Sequence, residues 1–184
     1  MGEGDSIVLS DNNYSNKEIN EILDSMTIII DSREKVNVHI TSIFDKQNVK
    51  YAVRKLNHGD YSFYVPQNET LGISEDVSFE NCISIERKNS VDELAGSYST
   101  TRKQFEAEHQ RHKGKMILLV ENDEYHDICE GNYRSKLKPK SFMATIHTWQ
   151  HRYSVPFIFV KKEYSALYIY YTLRYWLRNY LTNS

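Results

Sequence analysis

Apolar positions fall in short bursts along the chain, and the spacing within each burst changes from one to the next. Met26–Ile30 (MTIII), closed by Asp31, is a compact β-rich run of the kind expected for a buried strand. Beyond Ser32-Arg33-Glu34, Val36, Ile40, Ile43 and Phe44 recur at helical spacing, which predicts a helix over 37–47. Val49–Leu56 alternates, Asn57-His58-Gly59 is turn chemistry, and Asp60–Val65 reads as the returning strand. A polar, acidic stretch (66–80) leads to Cys82–Arg87, predicted as the third strand of an antiparallel meander. The period then lengthens. Ser90 and Glu93 form a capping-box pattern for a helix that Gly96 is expected to stop, and Thr100–Lys113 reads as a charged helix with a thin apolar stripe at Phe105. Lys115–Glu121 (KMILLVE) has the continuous apolarity of a strand buried on both faces. Pro139 suits the first turn of a helix reaching Tyr153, Pro156–Val160 is a last short strand, and 164–181 is a long helix rich in Tyr and Leu. Residues 1–25, polar with scattered apolar positions, are expected to form a flexible or weakly helical arm that the fold does not need. The remainder, 26–184, predicts one α/β domain with a mixed central sheet flanked by helices.

Composition narrows the class without naming a function. With 40% hydrophobic and 26% charged residues, the 184-residue chain can bury a sizeable core. It has no apolar run near the roughly 18 residues of a membrane span, so no membrane partner is expected. Neither a signal-peptide pattern nor a cysteine framework is seen, and Cys82 and Cys129 alone suit a reducing compartment. That compartment would be the cytoplasm in a bacterial or phage setting, or the nucleus in a eukaryotic one. Charge is more telling in its distribution than in its total of −2. Residues 1–31 carry seven acids against one base (net −6), and residues 132–184 carry nine bases against one acid (net +8). A basic C-terminal half suits a polyanion, although a mixed solvated surface explains it equally well.

The candidate chemistry lies where the predicted strands end. Asp60 opens one strand and Glu86 closes its antiparallel neighbour, so a separation in sequence need not mean distance in space. Glu86 and Lys88 are two apart and share a face if the strand persists. Two carboxylates and an ammonium at one sheet edge suit a hard divalent cation, Mg²⁺ or Mn²⁺, with water and substrate phosphate completing its shell. Acid, then acid-x-lysine, is the general pattern of PD-(D/E)xK nucleases. The longer string Gly59-Asp60, Glu86-Arg87-Lys88 and Asp92 resembles the GD…ERKxxxD signature of the XPF family of structure-specific DNA endonucleases. Asp31-x-Arg33-Glu34 after the first strand, Gly96-Ser97, Arg102 and KMILLVE extend the likeness over about residues 26–160.

The resemblance implies a restriction-endonuclease-like core and a metal-dependent endonuclease acting on branched, flapped or junction DNA in repair or recombination. It implies Asp60 and Glu86 as metal ligands with the Arg87 carbonyl, Lys88 serving the water, Asp31 and Glu34 extending the acidic pocket, and Asp92 holding the pocket or its arginine. Arg33, Arg87, Arg102 and Lys103 become candidate DNA contacts. The alternating Lys136, Lys138 and Lys140 read equally as a phosphate contact or a solvated loop. The resemblance stops short of the family's tandem helix-hairpin-helix module, so a homodimer or a DNA-binding partner protein is expected to help grip DNA. The alternative is a non-catalytic junction binder or regulatory subunit on the same fold. The pairs His109/His112 and His147/His151 lack the further ligands a zinc site needs and read as solvated helix faces. Tyr61 and Tyr98 read as structural rather than base-stacking, and the Tyr-rich tail as core or dimer surface.

Overall fold

A computed structural model describes residue 9 and residues 13–100, 114–122 and 124–183, with backbone alone at 98–100. Its centre is a mixed sheet of order β2-β1-β3-β5-β6-β7, with the short β4 added to β3. The strands are β1 (Thr27–Asp31), β2 (Tyr51–Arg54), β3 (Tyr61–Val65), β4 (Val77–Ser78), β5 (Ile83–Lys88), β6 (Lys115–Glu121) and β7 (Phe157–Val160). Along the main path β3 alone is antiparallel to its neighbours; β1 with β2, β5 with β6 and β6 with β7 pair in parallel. The carboxyl ends of β1, β2, β5, β6 and β7 and the amino end of β3 therefore share one edge of the sheet.

Strand parity divides the core in two. Ile28, Ile30, Tyr61, Phe63, Ile83, Ile85, Ile117 and Leu119 face α1 (Asn16–Ser25), α2 (Val38–Lys46) and the C-terminal α6 (Ser165–Thr182). Leu118, Val120 and Phe157 face α3 (Val91–Thr100), α4 (Tyr125–Glu130) and α5 (Pro139–Tyr153). In α6 the buried positions Ala166, Ile169, Leu173, Leu177 and Leu181 form one stripe at three- and four-residue spacing, while Tyr171 and Tyr175, and Tyr164 just before the helix, remain exposed.

Several expectations need correction. The meander forms only in part: β3 and β5 pair antiparallel as expected, but β2 pairs with β1 across a β1-α2-β2 crossover, and β3 returns on the other side of β1. The alternation of Val49–Leu56 marks a strand but not its neighbour: β2 is an edge strand with Val53 and Arg54 exposed, and periodicity cannot tell it from a meander strand. Helix α3 runs through Gly96 to Thr100, where a Cβ would meet nothing within 4 Å. Its start fits the capping pattern, with Glu93 N–H donating to Ser90 Oγ (3.2 Å) and Asn89 N–H donating to the Glu93 carboxylate (2.9 Å). The acidic stretch 66–80, expected as a hairpin loop or a flexible excursion, is a built connection between β3 and β5. It carries a 3₁₀ turn and β4, and it buries Leu71, Ile73, Val77 and Phe79. Phe79 stacks on Phe63 at 4.7 Å, and its edge meets Trp176. Helix α4 escaped the sequence reading. The charged helix expected over 100–113 lies almost wholly outside the described residues.

Part of the expected arm belongs to the body. Helix α1 opens with a reciprocal capping box between Ser15 and Glu18 and buries Ile19, Ile22 and Leu23. Arg174 of α6 fastens its end by donating to the Leu23 carbonyl (2.5 Å) and to Asp24 (2.7 Å). Ile22→Ala should therefore lower unfolding free energy by about 2–5 kcal/mol in urea denaturation, and removing residues 1–25 should lower it further. A truncated chain with an unchanged denaturation midpoint would return this segment to the status of an arm.

Candidate active site

The shared sheet edge gathers the chemistry. Asp60 precedes β3, where Gly59 turns the chain with φ +67°; a Cβ at Gly59 would stand 2.9 Å from the Ser84 Cβ, so glycine alone allows this approach to β5. Asp60 is then stitched between strands. Its N–H donates to the Ile85 carbonyl (2.9 Å), and its carbonyl accepts from Asp31 N–H (2.8 Å). Its side-chain Oδ2 accepts from the Arg87 N–H (2.8 Å). Glu86 and Lys88 project from one face of β5, and the Lys88 ammonium donates to Glu86 Oε1 at 2.5 Å.

The charges interact strongly. Burial, and then the Glu86 carboxylate, push the Asp60 pKa well above the ordinary aspartate range, against the opposing pull of the Arg87 N–H and Lys88. Burial works against the Lys88 charge, but Glu86, Asp60 and Glu93 outweigh it and raise the ammonium pKa. Lys88 is therefore cationic at neutral pH.

Arg87 points the other way. Its guanidinium is buried, donating to Glu121 (2.7 Å), Glu34 (2.9 Å) and the Val36 carbonyl (2.9 Å), while His39 Nε2 holds the second Glu121 oxygen at 2.8 Å. Burial disfavours its charge, but Glu121 and Glu34 reverse that and hold it more firmly protonated than usual. This corrects the expectation that the Arg87 side chain grips DNA: it is a structural cation inside a carboxylate cage. Glu34, expected to extend the acidic pocket, is spent on that cage, although its charge is still felt at Asp60. Glu121 and His39 were not anticipated. Their signal is a carboxylate closing the continuously apolar KMILLVE, where burial demands a partner.

Asp31 is also placed elsewhere. Its carboxylate accepts from Arg33 N–H (2.7 Å), the Arg33 guanidinium and Leu56 N–H (2.7 Å). Burial opposes its charge, yet these hydrogen bonds outweigh it and lower the pKa. Asp31 thus braces the turn after β1, and Arg33 is held by it and by the Leu56 carbonyl (3.0 Å). Asp92 accepts from Arg134 N–H (2.6 Å) and Nε (2.7 Å), tying α3 to the segment after α4 instead of holding Arg87. Tyr61 is fully buried and offers no stacking face. Lys136 and Lys138 on the approach to α5 and Lys140 in its first turn are exposed, and Arg102 and Lys103 lie outside the described residues.

The donor set suits one small divalent ion. Asp60 and Glu86 supply oxygens, and in an extended strand the Arg87 carbonyl leaves on the same side as its N–H, toward Asp60. Mg²⁺ commonly takes only one or two carboxylates and keeps waters and substrate phosphates. Among the described residues no cluster of three or more His, Cys, Asp or Glu side chains is ready to hold a metal. Substrate and water would therefore complete any shell here.

A model of the ERCC4 domain matches residues 30–172. The chain belongs to the ERCC4-domain family. Among solved structures it is similar to XPF from Aeropyrum pernix, at 21% identity and TM-score 0.57 over 81% of this chain and 60% of that one. It is also similar to the same protein in complex with DNA, at 19% identity and TM-score 0.54 over 85% of this chain and 65% of that one. The chain thus spans less than two thirds of these XPF structures, and the likeness shows their restriction-endonuclease-like fold. No protein of curated function matches the sequence.

Two outcomes are expected from this geometry. Glu121→Ala leaves Arg87 short of a buried partner and should cost about 3–5 kcal/mol of stability, read by chemical denaturation. Asp60 behaves oppositely. Its folded pKa is raised, so ionising it opposes folding; that penalty is absent below about pH 3.9 and grows as pH rises toward the folded value. Asp60→Asn should therefore melt at a higher temperature than the parent protein at pH 7 in chelator, with the gap closing near pH 3. An unchanged gap across that range would contradict the crowding.

Proposed function

We propose that this ERCC4-domain protein is a Mg²⁺- or Mn²⁺-dependent endonuclease that hydrolyses phosphodiester bonds in branched, flapped or junction DNA, as in repair or recombination. The observation that carries the reading is the convergence of Asp60, Glu86 and Lys88 at one sheet edge, with the Asp60 carboxylate crowded by negative charge. Family membership and a fold shared with an XPF structure that binds DNA support it.

Asp60 and Glu86, with the Arg87 carbonyl, would hold the ion, whose chemistry is to neutralise phosphate charge and acidify a bound water. Asp60 is positioned by its backbone ties to β1 and β5, so it meets the ion without rearranging the strand. Lys88, firmly protonated, is suited to orient the attacking water and offset charge on the attacked phosphate rather than to remove a proton. Arg87 acts through its backbone, with its side chain anchoring β5 from the opposite face. DNA contacts fall to Lys136, Lys138 and Lys140, with Arg102 and Lys103 as further candidates. The exposed tyrosines of α6 border a groove of about 490 Å³ with Val160, Leu167 and Tyr168, and this is the face we assign to a homodimer or a partner protein.

The test is cleavage of flap and four-way-junction DNA by the intact chain in Mg²⁺ or Mn²⁺. Asp60→Asn and Lys88→Ala should each reduce cutting at least a hundredfold while leaving DNA affinity within about threefold, and chelation should stop the parent enzyme. Wild-type rates in both variants would reject the site. Binding without cleavage in either metal would favour the non-catalytic junction binder.

A further inference from the structure

Beside the proposed catalytic edge lies a recess of about 350 Å³, lined by Asn122, Glu124, Tyr125, Phe159, Val160 and Lys161. None of these residues was implicated by the sequence reading. Its size falls in the roughly 300–1,000 Å³ range of small-ligand sites. Its position follows from strand register. Lys88 on β5 pairs with Val120 on β6, which pairs with Phe159 on β7, so the three stand in one row on one face of the sheet. At about 4.8 Å per strand, Phe159 sits about 10 Å from Lys88. That is about three base steps at the 3.4 Å rise of B-DNA, and fewer along an unstacked strand. Asn122, turned into the left-handed region (φ 68°) just past β6, donates from Nδ2 to the Asn89 carbonyl (2.9 Å). The recess wall is thereby bonded to the residue that follows Lys88.

The chemistry of the lining selects the occupant. Tyr125 and Phe159 meet edge to face at 6.2 Å, and the Tyr125 hydroxyl is held by His147 Nε2 at 2.8 Å, which fixes the ring. Both rings are only half-buried, so aromatic surface is available to a planar ligand. Asn122 brings an amide able both to donate and to accept. Glu124 and Lys161, both exposed, are one anion and one cation, so the lining has no net positive charge to draw a phosphate into the recess.

We propose that this recess is a nucleobase subsite: it takes one unstacked base within three nucleotides of the phosphate at Lys88, face-on to one of the Tyr125 and Phe159 rings and edge-on to the other. This rests on the nuclease reading above and deepens it, because branch points are where unpaired bases are on offer. The subsite would reward DNA that presents such a base and be indifferent to continuous duplex.

The test places 2-aminopurine, one position at a time, within three nucleotides of the cut site in flap DNA, bound in Ca²⁺ to hold it uncut. With the parent protein one position should change its emission at least twofold. Phe159→Leu and Tyr125→Leu should erase that change and weaken flap affinity about tenfold, with affinity for continuous duplex altered less than twofold. Tyr125→Phe, which keeps the ring, should retain the signal and shows that the site still folds. Should parent and Leu variants give the same emission profile and the same flap affinity while the parent still cuts, the subsite is wrong and the nuclease reading stands. A parent protein that neither binds nor cuts flap DNA overturns both.

Discussion

Arg87 is the residue around which the site is arranged. Its guanidinium occupies a cage of Glu34, Glu121 and the Val36 carbonyl on one face of β5, and its N–H holds Asp60 at the strand edge. A strand alternates its side chains, so seating Arg87 on the α2 side sends Glu86 and Lys88 to the other face. One buried cation thus fixes both the direction of the acid-x-lysine pair and the position of the second acid. A buried ion pair gives little net stability compared with a well-packed apolar pair, but leaving one member unpartnered is severe. Its contribution here is geometric: a one-residue slip of β5 would bury Lys88 among the carboxylates and expose Arg87.

Topology explains why the charges meet at one edge. The strands of the main path run the same way except β3, so carboxyl ends and one amino end coincide there. Ligand sites in open α/β sheets tend to lie beyond the carboxyl ends of strands, where connections diverge. Here β3 brings Asp60 to that edge from the opposite direction. The left-handed Gly59 lets it come close to β5, where any side chain would strike Ser84.

Much of this was legible in the sequence, and the misses have physical causes. MTIII, KMILLVE and the Pro139 helix are dominated by burial on a local period, so position and type follow directly from pattern. The neighbours of β2 do not, because an exposed edge strand alternates in the same way wherever it pairs. Asp60, Glu86 and Lys88 were found through spacing and chemistry, and the structure brings them together. The resemblance placed Asp31 and Asp92 at the pocket and the Arg87 side chain on DNA. A charge in a sequence does not disclose its partner: Arg33 and Leu56 hold Asp31, Arg134 holds Asp92, and Glu121, read only as the end of an apolar strand, holds Arg87.

The crowding at Asp60 bears on stability and on the proposed function alike. Two carboxylates side by side in a partly desolvated cleft repel each other, and Lys88 offsets only part of that, since the Asp60 proton is still held more tightly than usual. A fold selected for stability alone would place an amide or an apolar side chain there. On the proposed function, a divalent cation and a phosphate entering together would offset that term, the cation at the carboxylates and the phosphate at Lys88. On that reading the site without its ion carries the repulsion and the site with it would not. The Arg87 cage on the opposite face, with both terminal nitrogens of the guanidinium paired to carboxylates, keeps β5 from relaxing by rotation instead.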